Sequence, residues 1–386
     1  MEFDISWILL GVPMAFALGW LASRLDLRQL RIENRQAPKA YFKGLNYLLN
    51  EQQDQAIDAF IEAVQNDPDT SELHFALGNL FRRRGEYERA VRVHEHLLSR
   101  ADLAKSDRER AQYALSLDFL KAGLLDRAED ALQKLEGTRL QEQGWLTLLA
   151  IYERSRDWVK AAEIAQRLQQ AGHGDFASRL AHYLCEQAST ALNREQNPVS
   201  ARKLLEEAIQ DAPDAARPRI QLAALLAKQE DHQGAFDMLA SVKQHAPQAV
   251  PLIAGEMLHA AQACQQTPLA MALLQQSHAE SPSLDVAEAL VQGEIACGTP
   301  AEEARQWYVR HMQQEPSLIA AARWLAEEPL AHEEAHPTVQ QSLDHAARPL
   351  ARYRCAACGF EAKAYFWQCP GCQAWDSFPP RRIEEL

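Results

Sequence analysis

Valine, isoleucine and threonine are scarce in these 386 residues, and glycine and proline fall mainly between apolar periodic stretches. In a body rich in Ala, Leu, Gln, Glu and Arg, that scarcity argues against a sheet-built fold and points to helices throughout. Cysteine is short too. Seven in a chain of this length are too few for a secreted disulfide scaffold, which implies a reducing compartment. The formal net charge is −13, so the surface repels phosphate backbones and nucleic acid is not an expected partner. No Walker loop, Rossmann glycine fingerprint or nucleophile elbow occurs, which leaves nucleotide hydrolysis and acyl transfer without residues to carry them. The chain is therefore expected not to be an enzyme.

What is present begins with an apolar run. Residues Ile5 to Ala22 carry no charge, and eighteen helical residues span about 27 Å, close to the roughly 30 Å hydrocarbon core of a bilayer. Trp7 and Trp20 stand near its ends, where an indole can keep its N–H among headgroups. A cleaved signal peptide would open with basic residues, whereas Glu2 and Asp4 are acidic. Arg24, Arg28, Arg31, Arg35 and Lys39 follow the span, which by the positive-inside rule places the rest of the chain in the cytoplasm.

A chain this long exceeds what one hydrophobic core usually covers, so modules or a one-dimensional array are expected. The body repeats. A small residue is followed four later by an apolar one, three later by another small or apolar one, and five later by proline. Ala56, Phe60, Ala63, Pro68 fit this frame, as do Ala201, Leu205, Ala208, Pro213, then Ala235, Leu239, Val242, Pro247, and Ala304, Tyr308, His311, Pro316. Weaker copies centre on Ala90, Ala128, Ala161 and Ala270, and Gly44 and Gly78 mark close approach in the preceding helix. This is the tetratricopeptide repeat (TPR) pattern: small residues let paired helices approach, large ones fill the next pair, and proline ends the second helix. About eight units run from residue 37 to 316, with a closing helix over 317–327. Such an array offers a groove suited to a peptide or partner helix, or serves only as a spacer.

After a Pro- and His-containing stretch, Cys355 with Cys358 and Cys369 with Cys372 form two CxxC pairs ten residues apart. Facing hairpins of this kind converge four thiolates into a tetrahedral S4 site for one metal ion, Zn or Fe. The segment is too short for a stable core of its own, so the metal must hold it folded. A thioredoxin-like dithiol would want one CxxC in a βαβ context, which is missing. All four coordination positions are filled, which favours a structural or docking role over catalysis or electron transfer.

The other candidate signals have plainer accounts. Cys185, Cys264 and Cys297 stand singly in helical stretches and are expected to be small packing residues. Arg82, Arg83 and Arg84 sit beside Glu86 and Glu88 as a locally paired helix end. His94 and His96 are expected in a groove or on the surface. His332 to His336 matches the zinc-protease pattern HExxH, but Pro337 biases the second His away from helical angles, so coincidence in an acidic linker is expected.

An anchor, a long TPR array and a terminal YRCAACGF with WQCPGCQAW, in that order, resemble the lipopolysaccharide assembly protein B family of Gram-negative bacteria. The expected fold class is all-α, a TPR superhelical solenoid with an N-terminal transmembrane helix and a rubredoxin-like four-Cys metal knuckle. Its boundaries are an anchor over 1–23, a juxtamembrane segment over 24–36, the array over 37–328, a linker over 329–350 and the knuckle over 351–386. The sequence departs from ordinary rubredoxins at Gln373, where glycine often follows the last Cys, and in its shorter gap. The resemblance implies an inner-membrane adaptor that brings UDP-3-O-acyl-N-acetylglucosamine deacetylase to a membrane-bound AAA+ protease. Other lipopolysaccharide synthesis or export proteins are further implied partners, a homo-oligomer is allowed, and Cys355, Cys358, Cys369 and Cys372 would ligate the metal.

Overall fold

The computed structural model describes residues 14–20, 42–66, 70–326, 328 and 334–386. The expected span from Ile5 to Ala22 lies outside these residues except for 14–20, which are helical, and the basic flank 24–36 lies outside them altogether. Among the described residues no helix is long and apolar enough to cross a membrane.

The chain divides into two compact units, Met1–Ser155 and Arg156–Leu386. In the first, α1 (42–49) pairs with α2 (Gln53–Asn66), α3 (Ser71–Arg83) with α4 (Tyr87–Ser99), and α5 (Lys105–Lys121) with α6 (Leu125–Gln133), before α7 (Gln141–Ser155). The second opens with α8 (Trp158–Gln170). Three pairs follow: α9 (Ala177–Asn193) with α10 (Pro198–Asp211), α11 (Ala216–Lys228) with α12 (His232–His245), and α13 (Val250–Ala263) with α14 (Thr267–Glu280). Then come α15 (Leu284–Ala296), α16 (Ala301–Ala304), α17 (Gln306–Gln314), α18 (Leu318–Leu325) and α19 (His336–Ala347). A two-stranded antiparallel sheet, β1 (Tyr353–Arg354) with β2 (Glu361–Ala362), belongs to the knuckle. The described residues thus form a mostly helical TPR-like solenoid with a four-cysteine knuckle at its C-terminal end.

The repeat frame explains the packing. The frame alanine of every copy, from Ala56 to Ala304, is at most 1% exposed, so no larger side chain fits between the paired helices. Four residues on, Phe60, Leu205, Leu239 and Tyr308 fill the core, and the close-approach glycines are where expected. A Cβ on Gly44 would meet the Phe60 ring at 3.0 Å. Between consecutive helices the chain turns through a left-handed residue five positions before the frame alanine: Glu51, Gly85, Gly123, Arg156, Gln196, Glu230 and Gln265 all have φ between 50° and 81°. The amide one residue later closes the turn, as from Glu86 to Phe81 O at 2.9 Å and from Asp231 to Leu226 O at 3.0 Å. Asp157, Asn197, Asp231 and Ser317 then cap the helices that follow them.

His94 departs from expectation. It occupies the core slot that Phe60 fills one repeat earlier, fully buried, with Nδ1 2.5 Å from Asp118 Oδ2. Arg82 completes the cluster, donating to Asp118 Oδ1 at 2.8 Å and to Ala114 O at 3.0 Å. His94 is therefore in neither groove nor surface, because a buried carboxylate on α5 supplies the hydrogen bond that lets an imidazole stand among apolar neighbours. His96 is exposed. In the stretch read as a linker, α19 packs on α18 and buries Ala347. His336 is its first residue with Pro337 in the first turn, a place where proline needs no amide hydrogen, and His336 Nε2 lies 3.2 Å from Leu325 O. His332 and Glu333 lie outside the described residues.

Candidate metal centre

Each CxxC sits on a narrow hairpin. β1 and β2 pair Tyr353 with Ala362 and Arg354 with Glu361, and an isolated bridge joins Gln368 to Trp375. The two loops repeat one geometry. Cys355 N–H donates to Phe360 O at 2.9 Å and Gly359 N–H to Cys355 O at 2.9 Å, while Cys369 N–H donates to Ala374 O at 2.9 Å and Gln373 N–H to Cys369 O at 2.8 Å. The residue after each second cysteine turns left-handed, Gly359 at φ 77° and Gln373 at φ 61°. The glycine missing after Cys372 is thus a change of residue without a change of turn.

These hairpins bring the four sulfurs of Cys355, Cys358, Cys369 and Cys372 within 4.8 Å of one another. Cys355 and Cys372 are 3.8 Å apart, Cys358 and Cys369 3.7 Å. Tetrahedral coordination with metal–sulfur bonds of about 2.3 Å requires sulfur edges of about 3.8 Å, so the donor set fits one Zn or Fe ion. Cys355 and Cys369 are buried, Cys358 and Cys372 exposed. Before a cation arrives the thiols ionise unequally. Burial opposes the Cys355 thiolate, but the Ser377 hydroxyl and the Cys358 and Ala357 amides outweigh it and bring it down to about 6. The Phe360 amide favours the Cys358 thiolate, yet loss of hydration among the neighbouring sulfurs pushes its thiol up. Ligation of a cation would favour the thiolate form at all four positions, because the metal binds deprotonated cysteine.

The remaining cysteines stay apart. Cys185 is buried in the core of the second unit, and burial pushes its thiol up to about 12 against the pull of Arg217. Cys264 is half-buried. Cys297 corrects the expectation of a packing residue: it caps α15 and its side chain is exposed.

The knuckle lies against the helices of its own unit. Trp375 stacks on His182 of α9, with ring centres 4.6 Å apart and planes 19° from parallel, and meets Tyr183 and Trp158 edge-on at 6.0 Å. Asp376 accepts from Ser178 Oγ at 2.8 Å and lies 2.9 Å from His182 Nε2. Burial would raise Asp376, but the bond to His182 prevails and holds it below the usual carboxylate range. Arg217 of α11 reaches His182 Nδ1 at 3.4 Å and Glu186 at 2.6 Å. Beside these contacts lies a cavity of about 320 Å³, bordered by His182, Arg217, Tyr365, Trp367 and Asp376.

The residues after the knuckle are also seated. Arg382 forms a fork with Asp285 of α15 at 3.0 and 2.8 Å, donates to Ala351 O at 2.8 Å and lies over the Tyr353 ring. Glu385 accepts from Leu284 N–H at 2.7 Å, and Glu384 from Ser317 Oγ at 2.5 Å and from the amides of Leu318 and Ile319. Sequence reasoning did not find these docking residues. The density of aromatic residues between the CxxC pairs was the only hint, and the partners on α9, α15 and α18 carry no local signature.

A model of the rubredoxin metal binding domain matches residues 353–380, and one of the tetratricopeptide repeat matches residues 73–109. Lipopolysaccharide assembly protein B of Escherichia coli (strain K12) is 31% identical over 97% of this chain and 98% of its own. The chain belongs to the lipopolysaccharide assembly protein B family. Its relative of that name in Haemophilus influenzae is 26% identical over 99% of each chain. Among solved structures, a tetratricopeptide repeat protein from Parabacteroides merdae is 11% identical, covering 67% of this chain and 99% of its own at a TM-score of 0.34. In this member of the lipopolysaccharide assembly protein B family the knuckle rests on helices of its own unit: Trp367 and Trp375 meet His182 of α9, while Phe360 and Phe366 are exposed.

Proposed function

We propose that the chain is a non-enzymatic adaptor in lipopolysaccharide assembly, held at the bacterial inner membrane with its bulk in the cytoplasm. It promotes destruction of UDP-3-O-acyl-N-acetylglucosamine deacetylase by a membrane-bound AAA+ protease. The observation that carries the role in assembly is the correspondence to lipopolysaccharide assembly protein B along almost the full length of both chains. The chemistry of the knuckle agrees with an adaptor. Four thiolates saturate a tetrahedral ion, so substrate and water find no open position, and the metal, Zn or Fe, serves structure. Cys355, Cys358, Cys369 and Cys372 would hold it. A scaffold that gathers two partners on one membrane raises their effective concentration without any catalytic group.

Copurification from solubilised membranes tests this reading. The full chain is expected to bring down both protease and deacetylase, and Cys355→Ser to lose at least one of them. Recovery of export or synthesis proteins with neither of these two would replace the adaptor by a general assembly scaffold.

A further inference from the structure

Three carboxylates of the knuckle region, Asp376, Glu384 and Glu385, meet helices of the array near their N-terminal ends. Asp376 meets Ser178 and His182 in the first turns of α9, Glu385 meets the first amide of α15, and Glu384 meets the first two amides of α18. A helix N-terminus leaves its amides unpaired and carries partial positive charge, so carboxylates are its natural occupants. Along this edge those occupants come from the chain itself, 65 to 198 residues away in sequence.

The anchors depend on the metal site through the backbone. Trp375 and Asp376 follow Cys372 by three and four residues, and Asp376 keeps φ 49° because its amide donates to Trp367 O at 2.9 Å inside the second hairpin. The core beneath is small: Tyr353, Cys355, Cys369 and Phe378, so two of its four buried members are ligands. At its neck Ile383 N–H donates to Arg352 O at 2.8 Å and Arg382 to Ala351 O, which closes residues 352–383 into a loop. Within the loop Trp375 and Asp376 are held by the Gln368–Trp375 bridge and by the Asp376 N–H bond to Trp367 O, both inside the hairpin that thiolate ligation of a metal would close. Without metal the residues between 352 and 383 become a flexible loop of about thirty residues, and the cost of closing it falls on the neck bonds and the Arg382–Asp285 fork beside which Glu384 and Glu385 are seated.

We propose that the metal acts as a latch: its presence in the knuckle keeps Glu384 and Glu385 on α18 and α15, and its loss frees those helix ends. This rests on the reading of the four cysteines as a metal site. The amides of Leu284, Leu318 and Ile319 report the latch directly, because they donate to the tail and lie far in sequence from the cysteines.

Hydrogen exchange on the full chain, purified in detergent, measures them. Loaded with zinc, these amides are expected to be protected; after chelation under reducing conditions they should exchange at least tenfold faster, while Leu290 within α15 keeps its rate. Glu384→Ala with Glu385→Ala, which removes every side-chain acceptor, should free the same amides at unchanged zinc content, which separates release of the tail from unfolding of the knuckle. Bound zinc together with protection that survives chelation would overturn the latch and leave the metal site standing. A chain that binds neither zinc nor iron would overturn both.

Discussion

Glu230 and Gln373 hold backbone angles that favour glycine, at φ 64° and 61°. An L-residue there costs about 1–2 kcal/mol, partly offset because glycine has more freedom to lose on folding. Glu230→Gly is therefore expected to stabilise the second unit by up to about 1 kcal/mol, and Gly85→Ala, at φ 81°, to weaken the first by about 1 kcal/mol. Thermal unfolding of each variant checks both signs. The buried cluster behaves differently. Asp118→Ala leaves His94 without its partner and deprives Arg82 of its carboxylate, at a cost of about 3 kcal/mol; an unfolding midpoint equal to wild type would show that the cluster is not needed. Legibility stops at this scale. The frame alanines were readable because a spacing recurs, whereas the left-handed turn was readable only in copies that spell it with glycine. His94 read as a groove or surface residue because its partner Asp118 is 24 positions away on another helix.

The helices near the end of the array hold a second buried pair. His278 Nε2 lies 3.3 Å from His311 Nδ1, and Trp307 packs edge-on against His278. Burial, helped by His311, lowers His278 to about 4, and burial lowers His311 against the pull of Glu315 and Glu384. Each folded value lies below the unfolded one, so the unfolded chain takes up protons first. Stability is full above pH 6.5 and is lost as pH falls from there toward about 4. The melting temperature is expected to drop between pH 7.5 and 5, and His278→Gln should flatten that slope; an unchanged slope would place the acid sensitivity elsewhere. Trp375→Ala removes the ring that meets His182, Tyr183 and Trp158. The truncation is expected to cost about 3–5 kcal/mol of docking while metal content stays constant. Faster limited proteolysis near residues 348–352 would register the undocked knuckle. The mostly helical, TPR-like character of the body was legible from periodicity, but α19 was hidden by the prolines and histidines around it, which read as a linker until their place in a first helical turn was known.

At the scale of the whole molecule, family membership and the four-cysteine cluster were both legible, because CxxC spacing and a 34-residue period are each set by local geometry. The docking of knuckle on helices was not, since it depends on pairs such as Trp375 with His182 and Arg382 with Asp285 that only folding brings together. An adaptor acts by bringing partners together, so its effect should appear in the lifetime of the protein it presents. The most direct test is the half-life of UDP-3-O-acyl-N-acetylglucosamine deacetylase in cells that express this chain, the Cys355→Ser variant, or neither. A half-life that is short with the intact chain and several-fold longer with the variant or without the chain is the expected result. Equal half-lives in all three would contradict the account.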